Sequence, residues 1–315
     1  MKKWLAAALC TAAAMSASSA LAANINFVTA GTSSTFYPIS ATVCQLWNDS
    51  IEGMRATATP SGGGIDNLNQ ALDGEAQIGI ANANLVYQAQ QGTDSFEGYP
   101  NENLRIFAGL YYNPNQVVVT KDSGINSLED LVGKHISVGA AGSTTVDEAT
   151  VHLSLLGKTL DDLKAEYMGT SESADAISNK QLDGVWVMAG TPNAAVTQIM
   201  TTTDAKLLPI PAETVEALKV DYPWYASYTI PAGTYAGQDE DVPTSAVKLT
   251  LFITADVDEE TVYQMTKTFW ENWDSLTETH AALKKASLEA ACTDLAGVPI
   301  HEGAARYYRE VGVLE

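Results

Sequence analysis

Short apolar runs that end in small-residue turns and pass directly into amphipathic segments recur along most of this chain, and that alternation restricts the fold more than any other feature. "INFVTA", "RATAT", "QIGIAN", "LRIFAGL" and "QVVVT", then "HISVGA", "VWVMA" and "AKLLPI", have the apolar, β-branched content of strands. Between them lie helical patterns such as "TVDEATVHLSLLG", where Val146, Ala149, Leu153 and Leu156 recur on one face. The stretch "DEETVYQMTKTFWENWDSLTETH" predicts one long helix with Val262, Met265, Phe269 and Leu276 on its buried stripe. Strands alternating with helices predict an α/β fold with two mostly parallel sheets flanked by helices.

The turns themselves carry the functional signal. "NFVTAGTSSTFYP" runs through Gly31, Thr32, Ser33, Ser34 and Thr35 into Phe36 and Tyr37, and "ISVGAAGSTTVDEA" repeats the pattern with Ser143, Thr144 and Thr145. At a strand-to-helix junction the first helical N–H groups are unpaired and the helix dipole is positive, which suits a small anion. Glycine allows close backbone approach, and hydroxyls donate without bringing formal charge. Ser61, Gly62 and Gly63, then Asn82 and Asn84, occupy similar junctions in the first run, and Gly190, Thr191 and Asn193 do so in the second. Two matched sets predict two lobes facing one another, with residues 23–121 and 236–315 in one and 122–235 in the other. The stretches 120–134 and 230–246 are read as the crossings between them.

The N-terminus and the charge say where such a chain works. Lys2 and Lys3, the apolar run from Trp4 to Met15 and Ala20-Leu21-Ala22 form the pattern of a cleaved secretory signal peptide over residues 1–22. Later stretches are too short or too polar to span a bilayer, so the product is expected to be exported and not itself membrane-spanning. Loss of Lys2 and Lys3 takes the net charge from −21 to about −23, which excludes nucleic acid as a natural partner, because phosphate binding depends on clustered Lys and Arg. Cys44 and Cys292, left after the signal, either pair or remain free thiols.

Catalytic and cofactor motifs are missing from the turns. No Gly-Lys-Ser/Thr follows the glycines as in a P-loop, and no Gly-x-Ser-x-Gly elbow is present. His135, His152, His280 and His301 are scattered, and only His152 lies near a turn, where a satisfied helix residue is the simpler reading. Asp147 and Glu148 sit in a first helical turn, as the dipole favours. No spacing of ligands calls for a metal, and no cofactor is expected. Arg55, Arg105, Arg306 and Arg309 all lie outside the turns, so no bidentate arginine clamp is expected from them. Phe36, Tyr37 and Tyr87 are candidates for an apolar wall. The alternative is an exported α/β enzyme acting on a small carboxylate with the same cleft as its active site.

The segments "STFYP", "PSGGGIDNLNQALDGEAQIGIANANLVYQA", "GLYYNPNQVVVTKDSGINSLEDLVGKHISVGAAGSTT", "SADAISNKQLDGVWVMAGTPNAA", "IPAGTYAGQDEDVPTSAV", "VYQMTKTFWEN" and "IHEGAARYYRE" follow one another in an order that resembles the TAXI solute receptors of tripartite ATP-independent periplasmic (TRAP) transporters. The resemblance implies a two-lobed periplasmic binding protein that is not an enzyme. It would close on glutamate, glutamine or a related dicarboxylate and deliver it to TRAP membrane permease subunits. Three departures bear on the ligand. Ser33-Ser34-Thr35 stands where the family commonly has Gly-Gly-Thr, with Phe36-Tyr37-Pro38 replacing Tyr-Tyr-Pro; Asn82-Ala83-Asn84 replaces Gln-Ser-Asp; and Gly139 to Thr145 reads Gly-Ala-Ala-Gly-Ser-Thr-Thr for Gly-Ala-Pro-Gly-Ser-Gly-Thr. Loss of the acidic residue from the second motif removes a partner for an amino-acid ammonium and favours a plain carboxylate.

Overall fold

The computed structural model describes residues 23–32 and 36–315. The expected signal peptide and the hydroxyl residues Ser33, Ser34 and Thr35 lie outside the described residues. The strands are β1 (Asn24–Val28), β2 (Arg55–Thr59), β3 (Ile78–Asn82), β4 (Leu104–Thr120), β5 (His135–Ser137), β6 (Lys164–Glu166), β7 (Gly184–Met188), β8 (Ala205–Leu208), β9 (Tyr225–Ile230) and β10 (Val242–Thr254). The helices are α1 (Phe36–Ser50), α2 (Gly64–Leu72), α3 (Ala83–Gln91), α4 (Thr144–Leu155), α5 (Thr170–Ser178), α6 (Ala194–Thr202), α7 (Ala212–Leu218), α8 (Glu259–Glu271), α9 (Trp273–Thr279) and α10 (Glu302–Glu310).

These elements form an α/β fold with mixed pairing. β1 pairs in parallel with β2 and β3, and β5 pairs in parallel with β6 and β7. The antiparallel pairings all involve the two longest strands, β4 and β10. "LRIFAGL" and "QVVVT", expected as separate strands, are therefore one strand of 17 residues. Leu104 to Pro114 pair with β10, and Asn115 to Thr120 pair with β7 and β8. β10 makes the reverse exchange, pairing with β9 through Val247 and with β3 beyond it. The chain thus passes between the two groups of strands inside β4 and β10. The stretch 120–134, expected as a crossing, instead folds against the second group, with Ile125, Leu128 and Leu131 buried beside Val117 and Ile136.

Helices cover both faces of each group. α1, α8 and α10 enclose Phe27, Phe107 and Ile253 on one face of the first, while α2 and α3 bury Leu68, Leu85 and Val86 against Val28 and Phe252 on the other. In the second group Val117 and Val119 face α4 and α7, and the intervening Val118 faces α5 and α6, as the two-residue period of a strand requires. Trp47 anchors the first core: its ring stacks on Phe27, and its Nε1–H donates to the Met265 carbonyl at 2.9 Å. The expected long C-terminal helix breaks at Asn272, whose side-chain amide donates to the Thr268 carbonyl at 2.9 Å and takes the acceptor its own main chain would use. Val262, Met265, Phe269 and Leu276 are nonetheless all buried. Cys44 and Cys292 are free thiols.

Candidate functional site

Because β1 lies in parallel between β2 and β3, the turns leaving these strands share one edge. That edge carries Gly31 and Thr32, then Ser61, Gly62 and Gly63, then Asn82 and Asn84, with Phe36 and Tyr37 opening α1. β5 and β7 are parallel neighbours, so Ser143, Thr144 and Thr145 after one share a second edge with Gly190, Thr191 and Asn193 after the other. The midpoint of β4 joins the two edges. Asn113 Nδ2 donates to Asn82 Oδ1 at 3.0 Å, and Asn82 Nδ2 lies 3.8 Å from Met188 Sδ at the end of β7. The Tyr111 ring packs on Gly190, where an added Cβ would sit 3.4 Å from it, and its centroid lies 6.4 Å from that of the Phe36 ring. Sequence reasoning missed Tyr111 and Asn113, which fall in the gap between "LRIFAGL" and "QVVVT".

Not every expected donor is free for a ligand. Ser61 Oγ–H donates to Asn67 Oδ1, Gly63 N–H donates back to Ser61 Oγ, and the Gly62 N–H is held by the Asp66 carboxylate at 2.8 Å. That junction satisfies itself. Asn193 caps α6, accepting from the Ala195 and Val196 N–H groups, while its own N–H donates to the Tyr235 hydroxyl at 2.8 Å. Two other polar atoms differ: Asn84 Oδ1 and Ser143 Oγ are buried without a hydrogen-bond partner, although each unmet buried group costs about 1–3 kcal/mol. Ser143 occupies the N-cap position of α4, yet its side chain makes no capping bond. Gly139, at φ +94°, folds this turn back on itself; a Cβ there would lie 2.7 Å from Thr145 Cβ.

Behind the second edge lies a sealed polar hub. Asn115 donates to Glu148 Oε2 at 2.7 Å and to Ser245 Oγ at 3.0 Å, and accepts from Trp186 Nε1 at 2.8 Å. His152 Nδ1 is 2.7 Å from the Glu148 carbonyl, and its Nε2 is 2.7 Å from Ser245 Oγ. A carbonyl only accepts, so neutral His152 carries its proton on Nδ1 and Ser245 Oγ–H donates to Nε2. Burial pushes the Glu148 carboxyl up to about 7 and the His152 imidazole down to about 4. A serine bonded to a histidine suggests a nucleophile, but both residues have 0% exposure, which leaves no path for a substrate. Glu148, expected as a first-turn acid favoured by the helix dipole, belongs instead to this hub, leaving Asp147 outside as the dipole partner.

The arginines stay clear of the edges. Arg105 donates to the Glu102 and Leu104 carbonyls, Arg306 pairs with Glu260 and Arg309 with Glu302, and Arg55 is exposed at the start of β2. Tyr87 lies half-buried with its ring 5.6 Å from Trp224, linking α3 to the segment before β9. Among the described residues no group of His, Cys, Asp or Glu is placed to hold a metal ion, and no helix is long and apolar enough to cross a membrane.

A sequence match over residues 27–312 decides the family. The chain belongs to the NMT1-like family. Solved structures share its fold. The periplasmic sulfonate-binding protein SsuA of a putative sulfonate ABC transporter from Methylobacillus flagellatus KT aligns at TM-score 0.54 and 12% identity, over 93% of this NMT1-like chain and 88% of that one. The periplasmic aliphatic sulphonate binding protein SsuA from Escherichia coli aligns at 0.53 and 14% identity, over 91% and 82%. A TctC solute binding protein from Polaromonas aligns at 0.51 and 14% identity, over 83% and 86%. At such identities the likeness concerns the path of the chain alone.

Proposed function

We propose that this NMT1-like chain is an exported receptor that captures a small organic anion between two lobes, one built around each group of strands, and hands it to a membrane permease. The observation that carries the reading is the contact of Tyr111 with both Phe36 of the first turn set and Gly190 of the second, with the buried, unpartnered Ser143 hydroxyl at the start of α4 able to donate to a ligand. Backbone N–H groups at the starts of α3 and α4 and the hydroxyls of Ser143 and Thr144 suit an oxyanion. The signal-peptide pattern of residues 1–22 fits a periplasmic site of action. Glutamate, glutamine or a related dicarboxylate is the solute class favoured by the TAXI resemblance; the sulfonate named for two proteins of the same fold presents a comparable oxyanion. β4 and β10, which serve both groups of strands, are the hinge of this scheme, and the permease is of the TRAP type.

The test is reconstitution with the cognate membrane subunits in vesicles. Solute uptake is expected to require the receptor and an ion gradient and to proceed without ATP. Uptake that is equal without the receptor, or that needs ATP hydrolysis, sinks the TRAP assignment while leaving solute binding standing.

A further inference from the structure

A cavity of about 450 Å³ opens where the turn between β7 and α6 meets residues 281–285, and it is lined by Thr191, Pro192, Tyr228, Pro231, Thr234 and Lys285. Its walls come from two sides. Leu283 and Ala286, flanking the lysine, are buried in the core beside β4 and α1, whereas Thr191, Tyr228 and Thr234 belong to the second group of strands. Lys285 Nζ donates to Thr191 Oγ1 at 3.1 Å, and the Tyr228 hydroxyl lies 3.5 Å from the same oxygen. Thr191 is itself buried and directly follows Gly190, on which Tyr111 packs, so this cavity adjoins the facing turns.

The chain has 38 acidic residues against 17 basic ones, yet among the described residues no carboxylate pairs with Lys285. Lys285 is an exposed residue at the mouth of the cavity, yet desolvation there draws its ammonium below the ordinary lysine range, with no nearby charge acting in the opposite direction. An ammonium resting on one hydroxyl, with a second hydroxyl beside it, is a site that an oxyanion completes through charge-assisted hydrogen bonds.

We propose that Lys285 is the charge-recognition residue of this receptor, pairing with the carboxylate or sulfonate of a small organic anion while the Thr191 and Tyr228 hydroxyls donate to the same group; this rests on the receptor reading above. Because the ammonium and the hydroxyls come from opposite sides, the anion ties the two sides together.

Calorimetric titration with L-glutamate, succinate, ethanesulfonate and the neutral succinamide tests this, using wild type, Lys285→Met, Lys285→Arg and Lys284→Met. Wild type is expected to bind at least one acid and to prefer succinate to succinamide. Lys285→Met weakens that acid about tenfold or more, the scale of one charged hydrogen bond. Lys285→Arg stays within a few-fold, Lys284→Met, which does not line the cavity, is unchanged, and all variants keep the wild-type melting temperature. Succinate or glutamate binding alone identifies a carboxylate receptor, and ethanesulfonate binding alone a sulfonate receptor. An acid bound equally by wild type and Lys285→Met, or a preference for succinamide, overturns the role of Lys285 and leaves the receptor reading intact. If no acid binds, native mass spectrometry of protein from its own periplasm decides. A retained acid lost from Lys285→Met supports the proposal, a retained neutral solute overturns it alone, and no retained solute overturns it together with the receptor reading.

Discussion

Glu148 and His152 stand one helical turn apart on α4, both sealed from water, and their protonation responds to burial in opposite directions. Burial lifts Glu148 from 4.5 to about 7, against hydrogen bonds from Asn115 and Tyr225 that favour the carboxylate. Between those values the folded chain holds a proton that the unfolded chain has released, so stability falls as pH rises from 4.5 towards 7. Burial lowers His152 from 6.5 to about 4, so there the unfolded chain binds the extra proton and stability rises with pH across that window. In wild type the two slopes oppose one another between about pH 4.5 and 6.5. His152→Gln removes the rising slope. Denaturant titrations of this variant are expected to show stability falling between pH 5 and 6.5 relative to wild type, by up to about 1.4 kcal/mol per pH unit. Parallel pH profiles for variant and wild type contradict the opposed titrations.

At the scale of elements, β10 fastens an irregular C-terminal segment through a buried lysine. Lys248 has 0% exposure, and its ammonium donates to the Ala290 carbonyl, the Thr293 carbonyl at 3.1 Å and Thr293 Oγ1 at 3.0 Å, with the Tyr112 ring centre 4.9 Å away. Three donors meet three acceptors, which is why this charge is tolerated inside. The same segment approaches β4 at Gly109, whose N–H donates to the Ala291 carbonyl at 2.8 Å; a Cβ on Gly109 would also come within 2.8 Å of that oxygen. Lys248→Met fills the space of the stem but strands the acceptors, and a loss of about 3 kcal/mol is expected in urea unfolding. A loss below about 1 kcal/mol means that water replaces the ammonium and that the lysine does not fasten the segment.

For the whole molecule, the side-chain contacts that join the two sides include Asn82 with Met188, Tyr111 with Gly190, Tyr87 with Trp224, Tyr112 with Tyr228 and Lys285 with Thr191. Among the described residues, only β4 and β10 carry continuous backbone pairing from one group of strands into the other. On the receptor reading proposed above, opening would bend these two strands and break side-chain contacts without unfolding either core. Small-angle scattering is therefore expected to give a larger radius of gyration for protein stripped of solute than for protein saturated with it. An unchanged profile under conditions where binding is independently measured rules out hinge closure.

The α/β class, the positions of β1, β2, β3 and β7 and the placing of Thr32, Ser143 and Gly190 at strand-to-helix turns were legible in the sequence. Each depends on local pattern: apolar period, strand length and the small residues that end a strand. That "LRIFAGL" and "QVVVT" form one strand was not legible, because β4 is continuous only by virtue of β10 pairing with its first part and β7 with its second. The break at Asn272 escaped for a different reason, since a side-chain hydrogen bond overrides an unbroken apolar stripe. Lys285 meets Thr191 across 94 positions of chain and Ser245 meets Asn115 across 130. Short-range periodicity fixes which residues enter a strand or open a helix; which side chains share a cavity depends on how distant strands pair, and that only the tertiary structure decided.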